Sequence, residues 1–149
     1  MAFDATTTMR AIESYLLQTG MFRHVQIGEP KQPPQGISAA IFMSAINTKS
    51  LSFTAAVEIH IVMVRLYHNL ITDPAEVPFI TLDDALLQLE EALHGDFTLE
   101  GTIRDVDFNG IHGAQYDAVF GYLELSGVQY RVADVTIPLI VDSPTVMAA

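Results

Sequence analysis

The chain contains no cysteine, which removes disulfides, thiolate metal sites and a thiol nucleophile from the chemistry open to it. That usage suits a protein made in a cytoplasm. Basic residues are scarce, with 7 lysines and arginines against 18 acids and a formal charge of −11. A duplex-binding surface draws most of its non-specific affinity from Lys and Arg displacing counterions, and no basic cluster is present to do so. Stable DNA binding is therefore disfavoured, whereas indifference to DNA or mild repulsion is allowed. Long apolar runs are missing as well. The longest candidate for a membrane span, Ile59 to Leu66, holds His60 and Arg65 and falls far short of the roughly 20 residues required. The opening MAFDATTTMR has no basic segment followed by an apolar core, so neither a secretory signal nor a membrane partner is expected.

What is present is a chain of 149 residues, half of them hydrophobic, enough for a single domain over 1–149 with a real core. Its most informative segment is Phe53 to Tyr67 (FTAAVEIHIVMVRLY), an unbroken strand-like run. Fully extended at roughly 3.3 Å per residue it would be close to 50 Å long, against a diameter of about 38 Å for a compact chain of this size. Such a strand must bend at a bulge or project one end as an arm that something else covers. Val57, Ile59, Ile61 and Met63 share one face, and Glu58 and His60 point to the other. Beyond His60 that second face turns apolar through Val62, Val64 and Leu66, so the distal half is expected to be covered on both sides.

Helical spacing of Met9, Ile12, Leu16 and Leu17 predicts a helix over 6–19, capped by Asp4 or a threonine and stopped at Gly20. Three prolines and two glycines make 28–36 a loop. A long β-hairpin is predicted over 37–66, its strands Ile37–Ile46 and Leu51–Leu66 joined by the polar connector Asn47–Ser50. A second helix over 81–94 follows from the Thr81/Asp84 variant capping box, the stripe Leu82, Ala85, Leu86, Leu89 and Leu93, and the His94-Gly95 close. Strands then read through 97–141, as Phe97–Phe108, Tyr116–Leu125 and Val128–Val141, the last two joined at Ser126-Gly127. Pro138 cannot donate to a ladder, which places it on an edge or near the strand's end. Ser143 to Ala149 reads as a flexible tail. The order α-β-β-α-β-β-β predicts an α+β fold, one mixed or mainly antiparallel sheet with two helices packed on one face.

The polar residues make no active-site pattern. His24, His60, His68, His94 and His112 lack the short spacings of a zinc or iron site. Glu58 and His60 share a strand face, which reads as ordinary solvated surface, and His94 suits the end of a helix. Asp105 and Asp107 form a D-x-D pair that reads as the acidic face of a strand. Gly110-Ile111-His112-Gly113 precedes a strand, not the helix a phosphate loop requires. No serine sits in a G-x-S-x-G elbow. No catalytic residue, cofactor or metal is expected.

Several stretches, taken in order, resemble the tail terminator (tail completion) proteins of long non-contractile-tailed bacteriophages. They are Leu16-Leu17 through Gly20-Met21-Phe22 with Val25, then Glu29-Pro30-Lys31, Val64-Arg65-Leu66-Tyr67-His68-Asn69 and Gly95-Asp96-Phe97-Thr98-Leu99. Gly121-Tyr122-Leu123 and Tyr130-Arg131-Val132 running to Pro138-Leu139-Ile140-Val141 complete the set. The resemblance implies a non-enzymatic virion subunit, assembled in the host cytoplasm as a hexameric ring. Such a ring ends growth of the tail tube and offers its other face to the head-tail connector or stopper protein, with DNA passing through its channel. The family brings no motif-defined functional residues. Candidate interface residues come from the residue pattern alone: Asn47, Thr48, Lys49 and Ser50 in the connector, Arg65, Tyr67 and His68 at the end of the long strand, and Asn69, Asp73 and Glu76 in the loop that follows. Two other readings stand beside this one. The first is another neck or tail-tube component, such as a head-tail stopper or the tube protein; the second is a small α+β ligand-binding module or enzyme with a pocket between the second helix and the sheet.

Overall fold

The computed structural model of the chain describes residues 4–50, 56–72, 74–96, 98–99, 101, 103, 105–111 and 113–142. In order these form α1 (Ala5–Gln18), β1 (His24–Ile27), β2 (Ile37–Ser50), β3 (Ala56–Asn69), α2 (Val77–Gly95), β4 (Asp105–Val106), β5 (Asp117–Leu125) and β6 (Val128–Asp142). The class is α+β, with two helices and one mixed sheet of six strands running β1-β2-β3-β6, and with β4 and β5 both on the outer flank of β6. β1 lies parallel to β2, and every other pair is antiparallel. β1 has no counterpart in the sequence reading, because four residues give no measurable alternation.

The long strand is not a lone arm. β2, β3 and β6 have 14, 14 and 15 residues, so β3 is flanked throughout, by β2 from Ile37↔His68 to Ser50↔Ala56 and by β6 from Val57↔Asp142 to Asn69↔Tyr130. The irregularity that such length demands falls on β2, where the register shifts between Met43 and Ala45. Asn47 to Ser50 do not form a connector. They continue β2 opposite Ala56 to Ile59, since ladder bonds to a strand already in place outweigh the weak strand preference of polar residues. The predicted strand start at Phe53 lies outside the described residues, as does the tail 143–149.

α1 forms where predicted, within a residue. Asp4 Oδ1 accepts from the backbone N–H of Thr6 and Thr7, and Gly20 takes φ of +71° just past the end, the left-handed turn that glycine tolerates best. α2 begins four residues ahead of the predicted start. Pro78 sits in its first turn, where a missing N–H costs nothing, so Thr81 and Asp84 lie inside the helix and cap nothing. The predicted strand over Phe97–Phe108 shrinks to β4. Leu99 and Gly101 both take positive φ, which breaks any extended run, and Phe97 itself lies outside the described residues.

Pro138 lies inside β6, four residues from its end, where the outer flank of the strand has no ladder partner. It pairs with Ile61 of β3, and on its other flank it falls between Thr136, where β5 starts, and Leu139, where β4 pairs. Its carbonyl accepts from Asp107 N–H at 2.9 Å, and its absent donor therefore faces the gap where the outer neighbour changes.

One sheet face carries Ile37, Ala39 and Ile41 of β2, Val62, Val64 and Leu66 of β3, and Ala133, Val135, Ile137 and Leu139 of β6; it packs against Ile12 and Leu16 of α1 and Leu82, Ala85, Leu89 and Leu93 of α2. His60 belongs to this covered side and is buried, contrary to the solvated position predicted for it. The opposite face is only partly covered: Val57, Ile59 and Tyr67 are buried, whereas Ile61, Met63 and Arg65 stay half-exposed. Two-sided burial of the distal half of β3 thus fails at those three positions.

The leucines of α2 give a sharp contrast. Leu89→Ala should destabilise the protein by about 2–5 kcal/mol through lost burial and a cavity, while Leu87→Ala, at a position 64% exposed, should stay within about 0.5 kcal/mol. Chemical denaturation of both variants checks this; equal losses would mean the buried stripe is misassigned.

Candidate functional site

Charge and aromatic residues gather on the open face, at the end of the sheet where β3 finishes and β6 begins. Arg65 of β3 stands opposite Asp134 of β6 in the register. Its Nε donates to Asp134 Oδ1 at 2.6 Å and its Nη2 to Asp134 Oδ2 at 3.2 Å, a two-pronged contact, while Nη1 donates to Glu29 Oε1 at 2.9 Å. The planar guanidinium is suited to this geometry in a way that a lysine ammonium is not. Hydrogen bonding to Asp134 raises the Arg65 pKa further, against a smaller opposing effect of burial. The same guanidinium lies 5.8 Å from the Phe42 ring.

Glu29 begins the proline loop, and other bonds hold the rest of that loop across the sheet. The Tyr130 hydroxyl donates to the Pro33 carbonyl at 3.0 Å, the Ser126 hydroxyl to the Lys31 carbonyl at 3.4 Å, and Gly36 N–H to Asn69 Oδ1 at 2.7 Å. Beneath the loop Tyr67 and Tyr130 meet edge to face, centroids 6.2 Å apart at 85°. Burial pushes both phenol pKa values up.

Several of the predicted interface residues are engaged within the fold. Tyr67 is 1% exposed and His68 5%, with His68 Nδ1 at 3.0 Å from the Asn69 carbonyl. Asn69 is occupied with Gly36 and with the Ile71 carbonyl, to which its Nδ2 donates. These residues bind the chain's own loop, and Arg65 is engaged within the fold. Asn47 and Glu76 are exposed, Thr48, Lys49 and Ser50 lie in the terminal part of β2, and Asp73 is outside the described residues.

A second cluster had no expectation attached to it. The Arg131 guanidinium lies 5.0 Å from the centroid of each of three rings, Phe79 of α2 and Phe120 and Tyr122 of β5, so cation–π attraction ties α2 to the outer strand. Phe120 and Tyr122 are two apart in a strand, hence on one face. That spacing was visible in the sequence, but Phe79 is 52 residues from Arg131 and gave no sign of joining them. The outer sides of these rings remain exposed.

His94 and Asp107 have partners within the fold. His94 stacks on Phe108 at 4.1 Å, 14° from parallel, and lies 3.7 Å from Glu90. Asp107 is buried, not on an acidic surface, and its Oδ1 accepts from Ile111 N–H at 2.9 Å. Among the described residues no three His, Cys, Asp or Glu side chains converge as a metal site requires. Of the α2 stripe Leu82, Ala85, Leu89 and Leu93 are buried on the sheet and Leu86 partly so, and a groove of about 750 Å³ opens elsewhere, between Gln32–Gln35 of the proline loop and Gly127–Tyr130 of the β5–β6 turn.

No protein-family model matches this sequence, and no curated protein matches it significantly.

Arg65→Ala would remove the partner that Asp134 and Glu29 share, lowering stability by only about 0.5–1 kcal/mol because these side chains are partly exposed. It should also speed trypsin cleavage after Lys31, which the loop's tethers protect. Tyr130→Phe, which loses one hydrogen bond, should lower stability by about 1 kcal/mol. Unchanged cleavage in Arg65→Ala would show that the ion pair does not hold the loop.

Proposed function

We propose that this chain is a virion subunit of a long non-contractile bacteriophage tail, a tail terminator that assembles as a closed, hexameric ring on the tube. Its opposite face joins the head-tail connector or stopper, and DNA transits the channel without specific binding. One observation carries the reading: four of the six stretches that resemble the terminator family, scattered in sequence, come together at one end of the sheet, three of them on its open face and two on its helix-covered face, with Tyr130-Arg131-Val132 serving both. Glu29 of Glu29-Pro30-Lys31 holds Arg65 of the Val64–Asn69 stretch, Tyr67 of that stretch packs on Tyr130, and Arg131 lies over Tyr122 of Gly121-Tyr122-Leu123.

Two further features support it. Among the described residues the sheet has one open edge at β1 and another at β5, and a ring requires two different surfaces on each subunit that fit one another. The charge of −11 suits a channel through which DNA slides without sticking. Tube proteins stack without limit; a terminator adds one layer and stops.

Omitting this protein from its phage should give abnormally long tubes, or tails unable to join heads, seen by electron microscopy of lysates. Virions with tails of normal length, joined to heads normally, would overturn the reading.

A further inference from the structure

β5 is an edge strand that lacks the usual guards. It pairs with β6 alone, and among the described residues no strand lies on its other side. Natural edges are blunted by charges, lysine above all, by proline, bulges or shortness; β5 has nine residues, no lysine, no proline and an unbroken register from Asp117↔Thr136 to Leu125↔Val128, and its charges are the acids Asp117 and Glu124 alone. Its apolar side chains are out in solvent, Val119 at 62% and Tyr122 at 63%. The turn after it has two residues, Ser126 and Gly127, both with positive φ, the form in which the flanking pair exchanges ladder bonds. By alternation, the N–H and C=O groups of Ala118, Phe120, Tyr122 and Glu124 turn toward the open edge.

The other end of the sheet is its complement. β1 pairs with β2 alone. Between Gly20 and Gly28 the ionisable residues are Arg23 and His24, both exposed, whereas between Gly113 and Gly127 they are Asp117, Tyr116, Tyr122 and Glu124, with no base. Strand directions also agree. β1 runs with β2, against β3, with β6 and against β5, so a second copy added in the same orientation brings its β1 antiparallel to the first copy's β5.

We propose that copies of this chain associate head to tail, the β5 edge of one pairing with the β1 edge of the next, so that the sheet continues from subunit to subunit. The seam uses main-chain bonds for affinity and opposite charges for choice of partner. A two-fold pairing of β5 with β5 would place four acids and no base in one ribbon, which the charge pattern opposes. The proposal deepens the ring reading by naming the surfaces that close it, but its argument rests on the two edges.

The absence of native cysteine makes cross-linking unambiguous. Gln26, in register with Ala40, and Val119, in register with Asp134, lie on the same face of the sheet. A mixture of Gln26→Cys and Val119→Cys chains should cross-link through a short bifunctional thiol reagent, and neither chain alone should do so. Ala118→Pro removes one outward N–H and leaves the β6 ladder intact; it should abolish the cross-link with the thermal midpoint nearly unchanged. In sedimentation over a concentration series, Glu124→Lys should weaken association about tenfold or more, and adding Arg23→Glu to the same chain should restore it. Cross-linking of Val119→Cys to itself, an unchanged cross-link in folded Ala118→Pro, or a monomer at every concentration with no mixed cross-link would overturn the proposal. Its failure is separable from that of the functional reading: overlong tails on omission with no β1–β5 cross-link defeat the seam alone, and the seam with normal tails on omission defeats the terminator alone.

Discussion

With β3 hydrogen-bonded to β2 on one flank and β6 on the other, its register decides which side chains reach each face of the sheet. A slip of one residue would expel Val62, Val64 and Leu66 from the helix-covered side and drive Arg65 and Met63 in. Burying three such aliphatic side chains contributes roughly 5–9 kcal/mol, comparable with the whole stability of a typical domain. A desolvated, unpaired guanidinium would add to that loss. One register is therefore available, and both helices, the proline loop and the two outer strands are placed relative to it.

The Arg65–Asp134–Glu29 cluster is a consequence of that register more than a cause of stability. Arg65 and Asp134 are separated by 69 residues and meet only because β3 and β6 align them. Their side chains remain about a quarter to a third exposed, where ion pairs contribute little individually. What the cluster adds is position. Glu29 is drawn to it, the loop from Gly28 to Gly36 is drawn with Glu29, and Tyr67 and Tyr130 are shut from solvent beneath Pro33. A proline-rich loop loses less entropy on being fixed than a flexible one does, so a few modest bonds suffice to hold it.

Elements with local signals were legible. The Asp4 cap and Gly20 stop delimit α1 to within a residue, the Ser126-Gly127 turn sets the β5–β6 hairpin, and the α2 stripe of Leu82, Ala85, Leu89 and Leu93 is the buried one. The misreadings share a cause: in each the deciding partner is remote in sequence. β1 exists because β2 offers it an edge, Asn47 to Ser50 are extended because β3 runs opposite them, and His60 is buried on the face it shares with Val62, Val64 and Leu66, between β2 and β6. Tyr67, His68 and Asn69 looked like the exposed end of an arm because nothing in their neighbourhood announces a loop some 35 residues earlier folding over them. The sharpest signal passed over was Asp134 itself, an acid in the middle of the apolar stretch Val132 to Val141, which asks for a basic partner across the sheet.

Length and charge pull the assembled state in opposite directions. Three long strands leave a broad sheet with an unguarded edge, which favours association with any other strand, while −11 charges per copy oppose the approach of a second copy. Screening separates the two by distance. At physiological salt the Debye length is about 8 Å, so repulsion between the bodies of neighbouring copies is largely screened, while groups at a strand-to-strand seam sit about 4.8 Å apart and feel one another fully. In the proposed seam Arg23 at one end, with Asp117 and Glu124 at the other, would set the orientation. A ring closed through that seam has used every β1 and β5 edge it possesses. Among the described residues only the two-residue β4 would then keep an unpaired outer side, too short to template a further strand, so under the proposed seam the geometry that drives closure would also end lateral growth.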